Sequence, residues 1–221
     1  MPSPPQIPRT QSRTGDGRRP LPVRLTHWVN AFAMTCMIMS GWQIYDASPI
    51  FPMTFPRWST LGGWLAGGIA IHFATMWLLV ANGLFYLAYG LISGYLRRSL
   101  LPLTPGQVVR DFIAALTFSL RHEPGIYNAV QKLLYIVVLL LGAGAVLSGL
   151  AIWKPVQFAP LTALLGGYDT ARVVHFLVMA GIVGFIAIHL ALVALVPKSL
   201  LAMITGHGAA PGQVHRTGVR T

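Results

Sequence analysis

The stretch RVVHFLVMAGIVGFIAIHLALVALVP, from Arg172 to Pro197, is apolar over almost its whole length but contains two histidines. His175 and His189 are fourteen residues apart, which on a helix leaves them within about 40° of one another and about 21 Å apart along the axis. Because a hydrocarbon core is about 30 Å thick, the stretch predicts a membrane helix with one imidazole in each half. Ionisable side chains at such depths are costly and indicate a functional site with partners on other helices.

The composition places the whole chain in the membrane class. Of its 221 residues, 54% are hydrophobic and only 10% are charged, which is outside the range of soluble domains. Apolar stretches long enough to cross a bilayer as helices occur at approximately residues 26–45, 61–92, 130–153 and 172–196. The sequence therefore predicts an all-α integral membrane protein in which residues 23–205 form a four-helix bundle.

The basic residues predict the orientation of this bundle. Of the sixteen lysines and arginines, only Arg57, Lys154 and Arg172 lie in the first and third loops; the others lie in the tails and the second loop. By the positive-inside rule, both termini are expected to be cytoplasmic, so the net charge of +11 reflects membrane orientation and not nucleic-acid binding. Residues 1–22 and 206–221 are expected to be cytoplasmic tails, the first of them disordered, and residues 105–121 to contain a short interfacial helix.

The single cysteine limits the cofactor chemistry. Cys36 has no second cysteine to pair with, which excludes disulfides, thiolate zinc sites and iron–sulfur clusters within this chain. It also excludes covalently attached haem, which requires a C-x-x-C-H motif. Any haem would therefore be held by non-covalent ligation.

Two further histidines provide partners for those of the last helix. With the N-terminus inside, His27 near the start of the first helix shares the cytoplasmic half with His189. His72, a dozen residues into the second helix, shares the outer half with His175. Pairs of neutral imidazoles suit iron, and six-coordinate haem suits electron transfer because no ligand position is open to substrate. The sequence predicts two non-covalent haems, although any one histidine alone could instead be a hydrogen-bonded core residue.

A short repeated pattern places an arginine one turn before two of these histidines, in Arg24-Leu-Thr-His27 and Arg172-Val-Val-His175. Arg24 and Arg172 are candidate cations for haem propionates. Taken singly, each is at least as well explained as a side chain that snorkels at a helix end.

The start of the third predicted helix offers a candidate quinone site. Asn128 and Gln131 are one turn apart at its cytoplasmic edge, where their amides could hydrogen-bond a quinone carbonyl. From the residues alone, a helix cap at Asn128 is the preferred explanation.

Together these motifs resemble a known family. They are RLTHWVN around His27, His72 in the second helix, YNAVQK before the third helix, and H-x13-H in the fourth. This combination is similar to the two-haem, four-helix b-type cytochrome subunits of bacterial hydrogenases, formate dehydrogenases and thiosulfate-reductase-like systems, and to the related superoxide oxidase. The resemblance implies haem b at the pairs His27/His189 and His72/His175, in the bacterial cytoplasmic (inner) membrane.

The resemblance also implies partners. It places quinone chemistry near the inner haem, with Asn128 and Gln131 close by, and electron exchange with an extracytoplasmic redox protein at the outer haem. The stretches GWQIYDASPI, TLGGWLAG and LSGLAIWKPVQFAPLTALLGGYD are similar to a branch often paired with molybdopterin-dependent, sulfite-oxidase-like enzymes.

Three hypotheses of function follow. The leading one is a di-haem subunit that moves electrons between the quinone pool and an extracytoplasmic redox partner. The second is a stand-alone superoxide:quinone oxidoreductase, in which Arg57, Lys154 and Arg172 steer the anion. The third is a histidine-based metal or proton transporter, which the scarcity of intramembrane carboxylates disfavours. An oligomer is compatible with each of them.

Overall fold

The computed structural model describes residues 20–94, 96–97, 104–116, 129–195 and 197–206, and every regular element in this part of the chain is helical. A short 3₁₀ helix, Arg57–Ser59, lies between the first two α-helices. The α-helices are α1 (Leu21–Ala47), α2 (Leu65–Ile92), α3 (Pro105–Leu116), α4 (Ala129–Trp153), α5 (Ala159–Leu164), α6 (Tyr168–Leu195) and α7 (Pro197–Thr205). The predicted tails up to residue 19 and from residue 207 lie outside the described residues, as do residues 117–121 of the predicted interfacial helix.

Three of the described helices are long and apolar enough to cross a membrane: α2, α6 and residues Val130–Trp153 of α4. The chain is therefore an integral membrane protein. Helix α1 has a comparable length of 27 residues but carries several polar side chains, including Arg24, Asn30 and Gln43, and does not reach the same apolar content. A membrane position for α1, and with it the four-helix count, remains a prediction.

Three helix starts differ from the sequence expectation by four or five residues, and one of them is that of α6, which begins at Tyr168 and not near residue 172. Helix α1 begins at Leu21, several residues before position 26, with a proline in its first turn, where the missing amide proton costs nothing. Helix α2 begins at Leu65 and not near residue 61. Gly62 and Gly63 have φ values of +117° and +72°, in the left-handed region that a right-handed helix cannot include.

The long helices pack as two hairpins, α1 with α2 and α4 with α6. Close approaches fall at glycines: a Cβ on Gly68 of α2 would lie 2.9 Å from Cγ of Gln43 on α1, and one on Gly181 of α6 would lie 3.1 Å from Leu141 on α4. Small residues of this kind let membrane helices approach closely. The hairpins meet mainly through side chains, and these are the side chains of the candidate site.

Candidate functional site

The structure brings the four candidate histidines together as two pairs. The ring centroids of His27 on α1 and His189 on α6 are 6.0 Å apart, and those of His72 on α2 and His175 on α6 are 6.5 Å apart. All four side chains are half-buried. We call His27/His189 the inner pair and His72/His175 the outer pair, after their predicted depths.

The separation within each pair fits two imidazoles that bind one metal ion from opposite sides. A metal–nitrogen distance of about 2 Å, added to about 1.1 Å from ring nitrogen to ring centre on each side, gives about 6 Å between centroids. Within the described residues no group of three or more His, Cys, Asp or Glu side chains is placed to hold a metal ion. Two protein ligands per site suit haem, because the macrocycle supplies the other four donors.

The outer pair is hydrogen-bonded to two buried serines that the sequence analysis did not identify. Oγ of Ser40 on α1 lies 3.1 Å from Nδ1 of His72, and Oγ of Ser148 on α4 lies 2.9 Å from Nδ1 of His175. Both serines are fully buried. Their contact with Nδ1 leaves Nε2 as the ring nitrogen available to a metal.

A repeated motif could have identified these serines. The pattern Ser-Gly-x-x-Ile-aromatic occurs at Ser40–Tyr45 and again at Ser148–Trp153. In each copy the glycine accommodates the neighbouring ring, since a Cβ on Gly41 or Gly149 would touch Cε1 of the histidine at 3.5 or 3.4 Å.

Aromatic side chains cover the outer pair on the side of the first loop. Tyr45 lies against Phe176, the residue after His175, at a centroid distance of 5.0 Å. Its hydroxyl accepts a hydrogen bond of 3.1 Å from the backbone N–H of Phe51. Trp42 stacks on Phe55 at 4.5 Å. Among the described residues, the indole N–H of Trp42 is the buried side-chain polar atom without a hydrogen-bond partner. It is therefore a donor suited to a polar group bound beside these aromatic side chains.

The surroundings of the inner pair are different. His189 stacks on Phe185 at 6.0 Å with nearly parallel rings, and His27 contacts the edge of Trp28 at 5.3 Å. The amide of Asn82 on α2 donates to the Thr26 carbonyl oxygen at 2.9 Å and to Oδ1 of Asn30 at 2.6 Å. This polar cluster joins α2 to the turn of α1 that carries His27.

Arg24 and Arg172 both bind backbone oxygens at the ends of other helices. Arg24 donates to the carbonyl oxygens of Met203, at 3.2 Å, and Ile204, in the last turn of α7. Arg172 donates to the Ser48 carbonyl oxygen, at 2.6 Å, just after α1 ends. A cation at a helix C-terminus satisfies free carbonyl groups and opposes the helix dipole. The two arginines therefore join the hairpins at opposite ends, and a role with haem propionates remains a prediction.

The two candidate quinone residues are only partly described. Asn128 lies outside the described residues. Gln131 lies in the first turn of α4 and is half-buried. The quinone site therefore remains a prediction.

Comparison with known proteins identifies the family. The family model described as prokaryotic cytochrome b561 matches residues 18–206. The chain belongs to the prokaryotic cytochrome b561 family. Cytochromes b561 bind haem b, so the protein is a haem-binding membrane protein of electron transfer. The resemblance to b-type cytochromes noted from the sequence is thus confirmed.

A curated relative points to the same class. The chain is 48% identical over 186 residues to a protein of Azospira oryzae that is named as a protein-methionine-sulfoxide reductase subunit, YedZ1. The match covers 84% of this chain and 94% of the relative. No solved structure gives a significant match to this cytochrome.

Proposed function

We propose that this cytochrome b561-family protein is a four-helix, two-haem subunit that carries electrons between the quinone pool and an extracytoplasmic redox protein. The observation that supports the proposal best is the arrangement of two imidazole pairs along α6, with centroid separations of 6.0 and 6.5 Å. Both pairs include a histidine of α6, so this one helix would hold a ligand of each haem. The protein would lie in the bacterial inner membrane with both termini in the cytoplasm.

His27 with His189 would hold one haem, and His72 with His175 the other. Bound haem would supply a reversible one-electron carrier, and two imidazoles per iron leave no position for substrate. The protein side chains then have two tasks, which are to hold each imidazole in place and to keep water away. Phe185 at the inner pair and the aromatic cluster of Tyr45, Phe51 and Phe176 at the outer pair contribute to both.

We further propose that the outer pair exchanges electrons with the catalytic subunit of an oxidoreductase. Support comes from the name of the Azospira oryzae relative, which assigns it to a protein-methionine-sulfoxide reductase, and from the resemblance to subunits paired with molybdopterin-dependent enzymes. With a reductase as partner, electrons would flow outward from quinol through the inner pair and then the outer pair.

The superoxide alternative has weaker support. Direct reduction by superoxide needs a polar, positively charged path to the outer pair. Of the three candidate steering cations, Arg172 is hydrogen-bonded to Ser48, and Lys154 lies over the ring of Trp153 at 5.3 Å. The aromatic cover beside His175 is apolar, which favours a docked protein over a small anion. Rapid mixing of the purified protein with superoxide would distinguish the two, because the alternative requires immediate haem reduction.

The proposal is tested by counting haem. The detergent-purified protein should show the reduced-minus-oxidised visible spectrum of b-type haem and a pyridine haemochrome content of about two haems per chain. A content of one would contradict the two-site arrangement. A protein without haem after purification from haem-replete cells would contradict the proposal and favour the transporter hypothesis.

The quinone site gives a separate prediction. Replacement Asn128→Ala should slow quinol oxidation by about three- to tenfold, the effect of losing one hydrogen bond to the quinone, while both haems are retained. Stopped-flow reduction by a short-chain quinol measures this rate. Gln107→Ala is the matched control, since Gln107 is an exposed amide on the cytoplasmic helix α3. Equal rates in wild type and Asn128→Ala would place the quinone elsewhere.

A further inference from the structure

The serines beside the outer pair occupy equivalent places in the two hairpins. Ser40 on α1 contacts His72 on α2, and Ser148 on α4 contacts His175 on α6. Each serine is followed by a glycine over which the ring lies. The same local sequence therefore produces the same contact twice, once for each imidazole of the outer pair.

The direction of these hydrogen bonds follows from the second contact of each hydroxyl. Oγ of Ser40 lies 2.6 Å from the carbonyl oxygen of Cys36, and Oγ of Ser148 lies 2.6 Å from that of Gly144. A carbonyl oxygen can only accept, and it lies closer to the hydroxyl than the histidine nitrogen does, so the single hydroxyl proton is assigned to the carbonyl four residues earlier in the helix. The serine oxygen is then an acceptor for the histidine. In this arrangement Nδ1 carries the proton and donates it.

A neutral imidazole with its proton on Nδ1 has its lone pair on Nε2. We propose that Ser40 and Ser148 are positioning residues that hold His72 and His175 in the Nδ1–H tautomer and present both Nε2 lone pairs to the iron of the outer haem. The inference rests on the proposed function, because it assumes that the outer pair binds haem. It adds the residues that set the tautomer, the ring orientation and the electron donation of the ligands.

The described residues give the inner pair no equivalent of these serine contacts. Within the described part of the chain, no side chain or carbonyl hydrogen-bonds a ring nitrogen of His27 or His189, and aromatic contacts surround these rings instead. A hydrogen bond from the distal N–H of a ligating imidazole makes it a stronger donor to the metal. Stronger donation stabilises ferric over ferrous haem. The serines should therefore lower the midpoint potential of the outer haem and leave that of the inner haem unaffected.

Redox titration of serine variants tests this inference. Ser148→Ala and Ser40→Ala should each raise the midpoint potential of the outer haem, with two haems per chain retained. Loss of one neutral hydrogen bond should shift the ferric–ferrous equilibrium by about fivefold, or about 40 mV for a one-electron couple. The ferric EPR spectrum should change for the same haem. Absence of the signal in His175→Ala identifies which potential belongs to the outer site.

Matched variants separate this role from a structural one. Thr35→Ala removes a hydroxyl on α1 that also donates to the carbonyl oxygen four residues earlier, at 2.8 Å. Thr35 is exposed and has no histidine neighbour. Both midpoint potentials should therefore stay at their wild-type values. Ser148→Thr keeps the hydroxyl and should restore the wild-type potential. Two haems with unchanged potentials in both alanine variants would overturn the inference.

If Ser148→Ala loses the outer haem, the midpoint potential of Ser148→Cys tests the inference instead, because a thiol has a volume similar to that of a hydroxyl but is a weaker acceptor. A raised potential in this variant supports the inference, and the wild-type potential contradicts it. Failure of the proposed function gives a different result, since the wild type itself would then contain fewer than two haems per chain.

Discussion

Replacement of His175 by alanine is expected to reduce the haem content of the protein from about two to about one per chain. His72 alone would remain at the outer site, and an imidazole on one side leaves the iron with an open position and a weaker hold on the protein. The haem at His27 and His189 should stay bound because its ligands are unchanged. Pyridine haemochrome analysis with a redox titration measures both effects, as loss of one of two potentials.

The pairing makes this prediction specific. His72→Ala should remove the same potential as His175→Ala, since the ring centroids of these residues are 6.5 Å apart. His215→Ala, in the polar C-terminal segment, is the matched control and should retain both haems. Full occupancy of both haems in His175→Ala, or loss of different haems in the two outer variants, would show that the pairs are assigned wrongly.

Replacement of His189 by alanine should have the largest effect on electron transfer. It removes a ligand of the inner haem, and the outer haem would then be separated from a cytoplasmic-side quinone by about half of the membrane thickness, about 15 Å. Reduction of the remaining haem by quinol should therefore be much slower than in wild type, whereas dithionite should still reduce it fully. Stopped-flow spectroscopy measures the rates of haem reduction by quinol and by dithionite for comparison.

His27→Ala should behave in the same way, because His27 is the partner of His189 at 6.0 Å. Phe185→Leu provides a control on α6 that changes the ring stacked on His189 but keeps both ligands, so both haems should remain. If quinol still reduced the outer haem of His189→Ala at the wild-type rate, the quinone site would not lie beside the inner pair.

The helical membrane architecture was largely predictable, because apolar length and helical periodicity are local properties. Helices α2, α4 and α6 have the apolar content that their sequences indicate. Helix α1 does not reach this apolar content, since it carries Arg24, Asn30 and Ser40, which hydrogen-bond to residues of other helices. The short helices α5 and α7 were not predicted, because six and nine residues are too few for a clear periodic signal.

At the candidate site, the sequence by itself determined the face that His175 and His189 share on α6 and their separation along it, because fourteen residues on one helix set both. Only the tertiary structure decided which side chains meet them. The hydrogen bonds between the outer pair and Ser40 and Ser148, and those from Arg24 and Arg172 to the ends of other helices, depend on how each helix is rotated and shifted against its neighbours. That rotation is set by packing across the whole bundle, at contacts such as Gly68 on Gln43 and Gly181 on Leu141, and no single segment contains this information.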